Sequence, residues 1–310
     1  MIKFKIDFLF ASDLFLCLIY AFILLILACS KDAAMHSPFY RIFYVTGFCG
    51  IFKLLAGTAL SATQIDDVAM FIIFAIISGW AALAHTIGKL MMITNRLMVV
   101  SSASGNKDSQ WSAGILAIVF ACQFLPSLLV HVYFYNAQPV WGKTSEGEAF
   151  VAGLTTALTS RLVYATCYII YIPLAAILSI LTVKKFRKTI SSNDVNRGSY
   201  SRHGKSLIYY AIGCVLTHCI LCVQQILWGY ARLTNNAELL ALYTATYFRL
   251  NAYITFTCPI LLLAVSGHAR KVLLGACLCW YRKAGRRFDT FTLKSITNGS
   301  KSRTTFTHTK

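Results

Sequence analysis

Four stretches of this chain, residues 68–88, 109–142, 162–183 and 206–231, contain no Asp, Glu, Lys or Arg. Each is long enough to supply the roughly 20 apolar residues that carry a helix across a bilayer. Inside lipid the backbone must satisfy its own hydrogen bonds, and runs of this length do so as helices. Further apolar runs bring the set of expected spans to seven: near 8–29, 41–62, 68–94, 112–134, 157–183, 206–230 and 243–267. Lys53 interrupts the second, which makes it the weakest of the seven. Only 13% of the 310 residues are charged and 57% are hydrophobic, against about 25% charged in soluble domains. The fold class expected is an all-α membrane protein, a bundle of seven transmembrane helices.

Connections between the runs are short, so one bundle over residues 1–267 is expected. An interfacial amphipathic segment over 268–288 and a disordered Ser/Thr-rich tail over 289–310 should follow. No internal repeat is visible, which removes support for a transporter of duplicated halves. Lys3 and Lys5 precede the first run as they would a signal peptide. That run is too long for a signal core, contains Asp13, and ends in Cys29-Ser30-Lys31-Asp32 without a small-residue cleavage site. It reads as a retained helix.

Loop charge sets the orientation. With the N-terminus outside, the outer segments hold Lys3, Lys5, Lys143 and Arg232, four in all, whereas the inner segments hold 21 Lys and Arg. Seven of these lie between spans five and six, and ten follow span seven. The N-terminus is therefore expected outside and the C-terminus inside. The +18 net charge then sits beside an anionic inner leaflet, which argues against nucleic-acid binding. The sequon at Asn298 falls on the inner side, where it stays unused. None of the 11 cysteines lies in an outer loop, so no extracellular disulfide framework is expected. Cys214, His218 and Cys222 share one face of span six, but with no fourth ligand they read as small apolar filler rather than a metal site.

Seven spans with an Arg at the inner end of the third form the pattern of a G protein-coupled receptor. The stretches "SPFYRIFYVTG" entering span two, "NRLMVV" ending span three and "CPILLLAVSGHARK" ending span seven resemble the nematode serpentine chemoreceptors, in the superfamily that includes classes gamma and V. The resemblance implies a receptor for small environmental molecules or pheromones, coupled to a heterotrimeric G protein. It also implies a place in the plasma membrane of sensory neurons, in cilia, with no cofactor and a possible role for oligomers. The chain departs from the rhodopsin-like pattern in three ways. Residues 62–70 and 135–150 lack the cysteines of the usual outer disulfide. Span six, "CVLTHCILCVQQILW", has no Pro. Span seven has Cys258-Pro259 in place of Asn-Pro, and no Lys for a retinal Schiff base.

Arg96 has two readings. A long basic side chain at a membrane edge snorkels to the headgroups; alternatively it faces the bundle and meets the G protein. Asn95 stands where an acid would neutralise it, and the base of span six offers Ser206, Tyr209 and Tyr210 but no carboxylate. A resting lock there is expected to use hydrogen bonds. Lys184, Lys185, Arg187 and Lys188 open the basic third inner loop and share the G-protein contact, with Pro259 as the switch. Asp13 and Lys53 lie in the outer halves of spans one and two, where they would pair as a clamp. Lys53, His131, Arg161 and Arg249 otherwise line an outward cavity suited to an acidic or acceptor-rich ligand. Trp80, Tyr168 and Tyr171 are its candidate walls, whereas Tyr133, Phe134, Tyr135, Trp141, Trp228 and Tyr230 read as interface belts. Pro126, Pro173 and Pro259 should bend spans four, five and seven. Cys277 and Cys279 read either as S-palmitoylation sites or as buried thiols. The rival class is a transporter or ligand-gated channel subunit. An enzyme is disfavoured because no span carries a paired His and acid.

Overall fold

Helix ends follow capping chemistry. The computed structural model describes residues 3–4, 8–64, 68–101, 112–132, 137–143, 149–155, 157–192, 197–234 and 236–278. Seven long helices run through it: α1 (Phe8–Ala28), α2 (Pro38–Ala62), α3 (Val68–Ser101), α4 (Ala113–Val132), α5 (Ala157–Ser192), α6 (Arg197–Leu233) and α7 (Ala237–Val265). Pro38 opens α2 at a position where its missing N–H costs nothing. Asn236 caps α7, its side chain accepting from Leu239 N at 3.1 Å. An eighth helix, α8 (Gly267–Leu278), leaves α7 at 95°. Ser266 makes that corner: its N–H donates to Leu262 O at 2.7 Å, and its Oγ accepts from Ala269 N at 3.1 Å.

The short antiparallel pair β1 (Lys3–Phe4) and β2 (Thr63–Gln64) closes one end of the bundle. The same end carries the hairpin of β3 (Pro139–Lys143) and β4 (Ala149–Leu154). The opposite, tail end carries the α1–α2 turn, with its 3-10 helix at Ala33–His36, and α8. Helix α3 packs against α2, α4 and α5, while α7 packs against α1, α2 and α6, so the helices close into a ring.

Large apolar side chains cover the outside: Leu129 is 74% exposed, Ile118 64% and Leu18 62%. Polar groups such as Gln123, His131 and Thr255 are fully buried. Such an inside-out distribution is what a lipid solvent selects. By length and composition α1 to α6 each suffice to cross a membrane. The seventh expected span does not qualify alone: its apolar part, Arg249–Ala264, counts only together with α8 across the 95° bend. The protein is an all-helical, multi-pass integral membrane protein.

One expectation changes between spans five and six. The basic "loop" from Lys184 to Lys205 is mostly helix, because α5 continues to Ser192 and α6 begins at Arg197. No Pro or Gly falls between Leu174 and Ser192, and Lys and Arg are good helix formers. At 36 residues α5 is about 54 Å long, well beyond a hydrocarbon core of about 30 Å. Of the expected belt residues, Trp228 is buried and Tyr230 is exposed; Tyr133, Phe134 and Tyr135 lie outside the described residues.

Candidate functional site

The middle of the bundle is polar and cationic. On α3, His85 and Lys89 are four residues apart and face inward, each 2% exposed. Lys53 comes in from α2 and donates to Thr255 Oγ1 of α7 at 3.2 Å. His218 enters from α6, its Nδ1–H donating to Cys214 O at 2.7 Å. Lys53, Lys89, His85 and His218 are close enough to act on one another electrostatically. Gly50 permits the convergence. A Cβ there would stand 2.8 Å from Thr255 Cγ2, 3.3 Å from the Tyr20 ring and 3.5 Å from His85 Nε2.

Among the described residues no carboxylate meets this cluster. Asp32 pairs with His268 at 2.7 Å at the tail end, Glu238 is exposed in the first turn of α7, and Asp13 acts on Cys17 along α1. The described hydrogen bond of Lys53 goes to Thr255, where the sequence led to the expectation of Asp13. An ammonium held in the interior without an opposite charge costs several kcal/mol. Buried polar atoms surround the cluster without hydrogen-bond partners: His85 Nε2, Asn251 Oδ1, and the hydroxyls of Tyr20 and Tyr171. A narrow cleft between α2, α3 and α7 reaches Lys53 and Asn251, past Thr58, Ser78 and Tyr247. Its cavity volume is about 10 Å³, room for about one water.

The other expected pocket residues divide. Tyr168 and Tyr171 flank the His218 ring, at centroid distances of 5.7 Å and 4.0 Å, and so border the cluster. Trp80 stacks on Phe124 of α4 at 5.6 Å. His131 is not on an open wall. It is 2% exposed, with Nδ1 on Ser127 O and Nε2 on Tyr164 OH, both at 2.7 Å. A carbonyl only accepts, so Nδ1 carries the proton and Nε2 accepts from the tyrosine. This histidine ties α4 to α5. Arg249 is exposed on α7 and is not brought to the cluster. Arg161 lies in the first turns of α5, and its side chain is outside the described residues.

At the tail end, Arg96 lays its guanidinium over the Phe39 ring of α2, 3.6 Å from the centroid. Its Nε has no hydrogen-bond partner, and neither does either amide atom of Asn95, which is 1% exposed. The described ring contact of Arg96 thus comes from span two, while Tyr210 of span six, one of the expected restraints, lies near enough to act on it electrostatically. Tyr209 is exposed, and Tyr210 turns its hydroxyl to Cys258 Sγ at 3.1 Å and Met92 Sδ at 3.7 Å. Ser206 has no described side chain. Pro259 lies buried inside α7 beside Cys258. Arg270 of α8 returns to the last carbonyls of α7, Leu263 O at 2.8 Å and Ala264 O at 2.5 Å. Tyr40 OH and Ser266 Oγ, 3.2 Å apart, join α2 to the same corner.

Lys184 and Lys185 are exposed on the α5 extension. Arg187 and Lys188 continue it, with side chains outside the described residues. Cys277 is exposed on α8; Cys279 and the 289–310 tail lie outside the described residues. Sequence reading missed Lys89, His85 and Phe39. The signal was present in α3, where His85, Lys89, Met92 and Arg96 recur at spacings of four, three and four and so share one face.

A ring of seven helices with a polar interior and an arginine at the end of the third defines a rhodopsin-like receptor fold. The crystal structure of squid rhodopsin matches it with a TM-score of 0.60, over 88% of this chain and 84% of that one, at 11% identity. At that identity the likeness is one of fold. The family comes from the sequence: the description "Srg family chemoreceptor" matches residues 13–273. The chain belongs to this family of nematode serpentine chemoreceptors, and is a receptor rather than an enzyme. Of the two classes, gamma and V, the sequence leaned to V, whereas the match is to Srg. No curated protein matches the chain.

Proposed function

We propose that this chain is a chemosensory G protein-coupled receptor of the plasma membrane, sited in sensory cilia, with its N-terminus outside. A small environmental or pheromone ligand enters from the hairpin end, and the tail end activates a heterotrimeric G protein. The observation that carries the proposal is the state of Arg96. It is half-buried at the tail end with its guanidinium over the Phe39 ring, at the same end of the bundle as the basic helical extension that begins at Lys184 and Lys185. The excess of Lys and Arg in the segments at this end supports its cytoplasmic placement. Ligand binding favours an arrangement in which Arg96 leaves Phe39 and, with Asn95, Lys184, Lys185, Arg187 and Lys188, meets the G protein. Pro259, between the cationic cluster and the α7–α8 corner, is the joint through which the two ends communicate. Helix α8 lies in the inner interface, where Cys277 and Cys279 accept lipid.

Expression with a promiscuous G protein, followed by a small-molecule screen read as second messenger, tests this reading. A ligand-dependent response that needs the G protein supports it. Ligand-dependent ion or solute flux without the G protein assigns the chain to the channel or transporter class instead.

A further inference from the structure

The cluster at the centre of the bundle brings two lysines together with His85 and His218. Lys53 and Lys89 are buried on neighbouring helices, and no described carboxylate reaches either. Of three ammonium hydrogens, Lys53 spends one on Thr255 Oγ1. His85 Nε2 is buried beside them without a partner, as is Asn251 Oδ1, one turn from Thr255 on α7. The cleft lined by both Lys53 and Asn251 also takes in Thr58, Ser78 and Tyr247, which lie towards the hairpin end of their helices. The cleft therefore lies on the hairpin side of Lys53, for which no carboxylate partner is found among the described residues.

We propose that the ligand is a carboxylic acid whose carboxylate lies between Lys53 and Lys89, with His85 as a third contact and Asn251 Oδ1 accepting from a neighbouring hydroxyl or N–H of the ligand. This rests on the receptor reading above and names its ligand class. Each carboxylate oxygen takes one ammonium, a charge-assisted geometry. A phosphate is a poorer fit. Every contributing residue lies within a helix, so two ammonium groups donate without the backbone N–H groups that a helix N-terminus would add for a phosphate's further oxygens. The cleft is too narrow to admit the ligand body without movement of its lining. Its filling pushes α2 and α7 apart, and Thr255 and Pro259 lie one turn apart on α7.

The test uses matched probes, straight-chain carboxylic acids and their primary amides, on the purified full-length protein in detergent. The unfolding midpoint reports binding without any G protein, because a ligand bound only to the folded state stabilises it by mass action. The acids should raise the midpoint and the amides should not. Lys53→Met and Lys89→Met should each raise the acid concentration needed for half the shift by about tenfold or more. Ligand-free Lys89→Met should unfold at or above the wild-type midpoint, because it loses an uncompensated buried charge and keeps its volume. Equal action of acids and amides, no shift with any acid at millimolar concentration, or an acid shift that survives both substitutions overturns the proposal. Acid-specific stabilisation without nucleotide exchange on a G protein leaves the carboxylate site standing and defeats the receptor reading.

Discussion

Replacing Phe39 by Leu tests the part of the account that links structure to signalling. The substitution keeps an apolar side chain of similar volume but removes the π face beneath Arg96. A desolvated cation–π contact is worth about 2 kcal/mol, and the geometry here is close, with the guanidinium carbon 3.6 Å from the centroid and Phe39 itself 4% exposed. Arg96 Nε has no hydrogen-bond partner, so loss of the ring face weakens the resting arrangement. About 2 kcal/mol is roughly a thirtyfold change in an equilibrium constant. A resting receptor open about 0.1% of the time would then be open about 3% of the time. The assay is ligand-independent second-messenger output, normalised to surface expression, with Phe39→Tyr as the partner variant because it keeps the ring. The account predicts basal output raised about ten- to thirtyfold in Phe39→Leu and near wild type in Phe39→Tyr. Wild-type basal output in Phe39→Leu, or an equal rise in both variants, refutes the reasoning.

Other consequences follow from the packing. Tyr164→Phe removes the hydroxyl that His131 Nε2 accepts from, at a cost of about 1–2 kcal/mol. It should lower the unfolding midpoint by a few degrees while leaving the half-maximal ligand concentration unchanged; the reverse pattern returns His131 to the pocket. At Gly88 an added Cβ would run into Thr46 Oγ1 and Gln123 Nε2, where α2, α3 and α4 meet. Gly88→Ala should therefore lower thermal stability by about 1–3 kcal/mol, and Thr46→Ala in the same chain should recover part of it; no loss in the single variant contradicts the packing. For orientation, an epitope at the N-terminus should stain on intact cells and one at the C-terminus only after permeabilisation, and the opposite pattern refutes the N-out assignment.

What could be read in the sequence differs by element. Apolar runs located all seven helices, since lipid imposes the same demand on every residue of a span. The tail-side ends of α5 and α6 extend beyond the expected spans because Lys184 to Lys205 is polar, and polarity ends a membrane span without ending a helix. Lys53 was noticed as a charge in an oily run, but its partner Thr255 is 202 residues away and carries no distinguishing signal of its own. His131 looked like a pocket residue because its bond to Tyr164, on the next helix, depends on how α4 packs against α5. Phe39 was invisible as the counterpart of Arg96, since one Phe among 21 declares nothing until the helices meet. Lys89 was legible in principle from the spacing it shares with His85 and Arg96.

The most direct measurement is nucleotide exchange on a purified heterotrimeric G protein, with the receptor reconstituted in lipid and a ligand from the screen added. The account predicts exchange that rises with ligand and is lost in Arg96→Ala, whose ligand-induced stabilisation in the unfolding assay stays intact. Exchange unaffected by ligand, or ligand-dependent exchange at wild-type rate in Arg96→Ala, contradicts it.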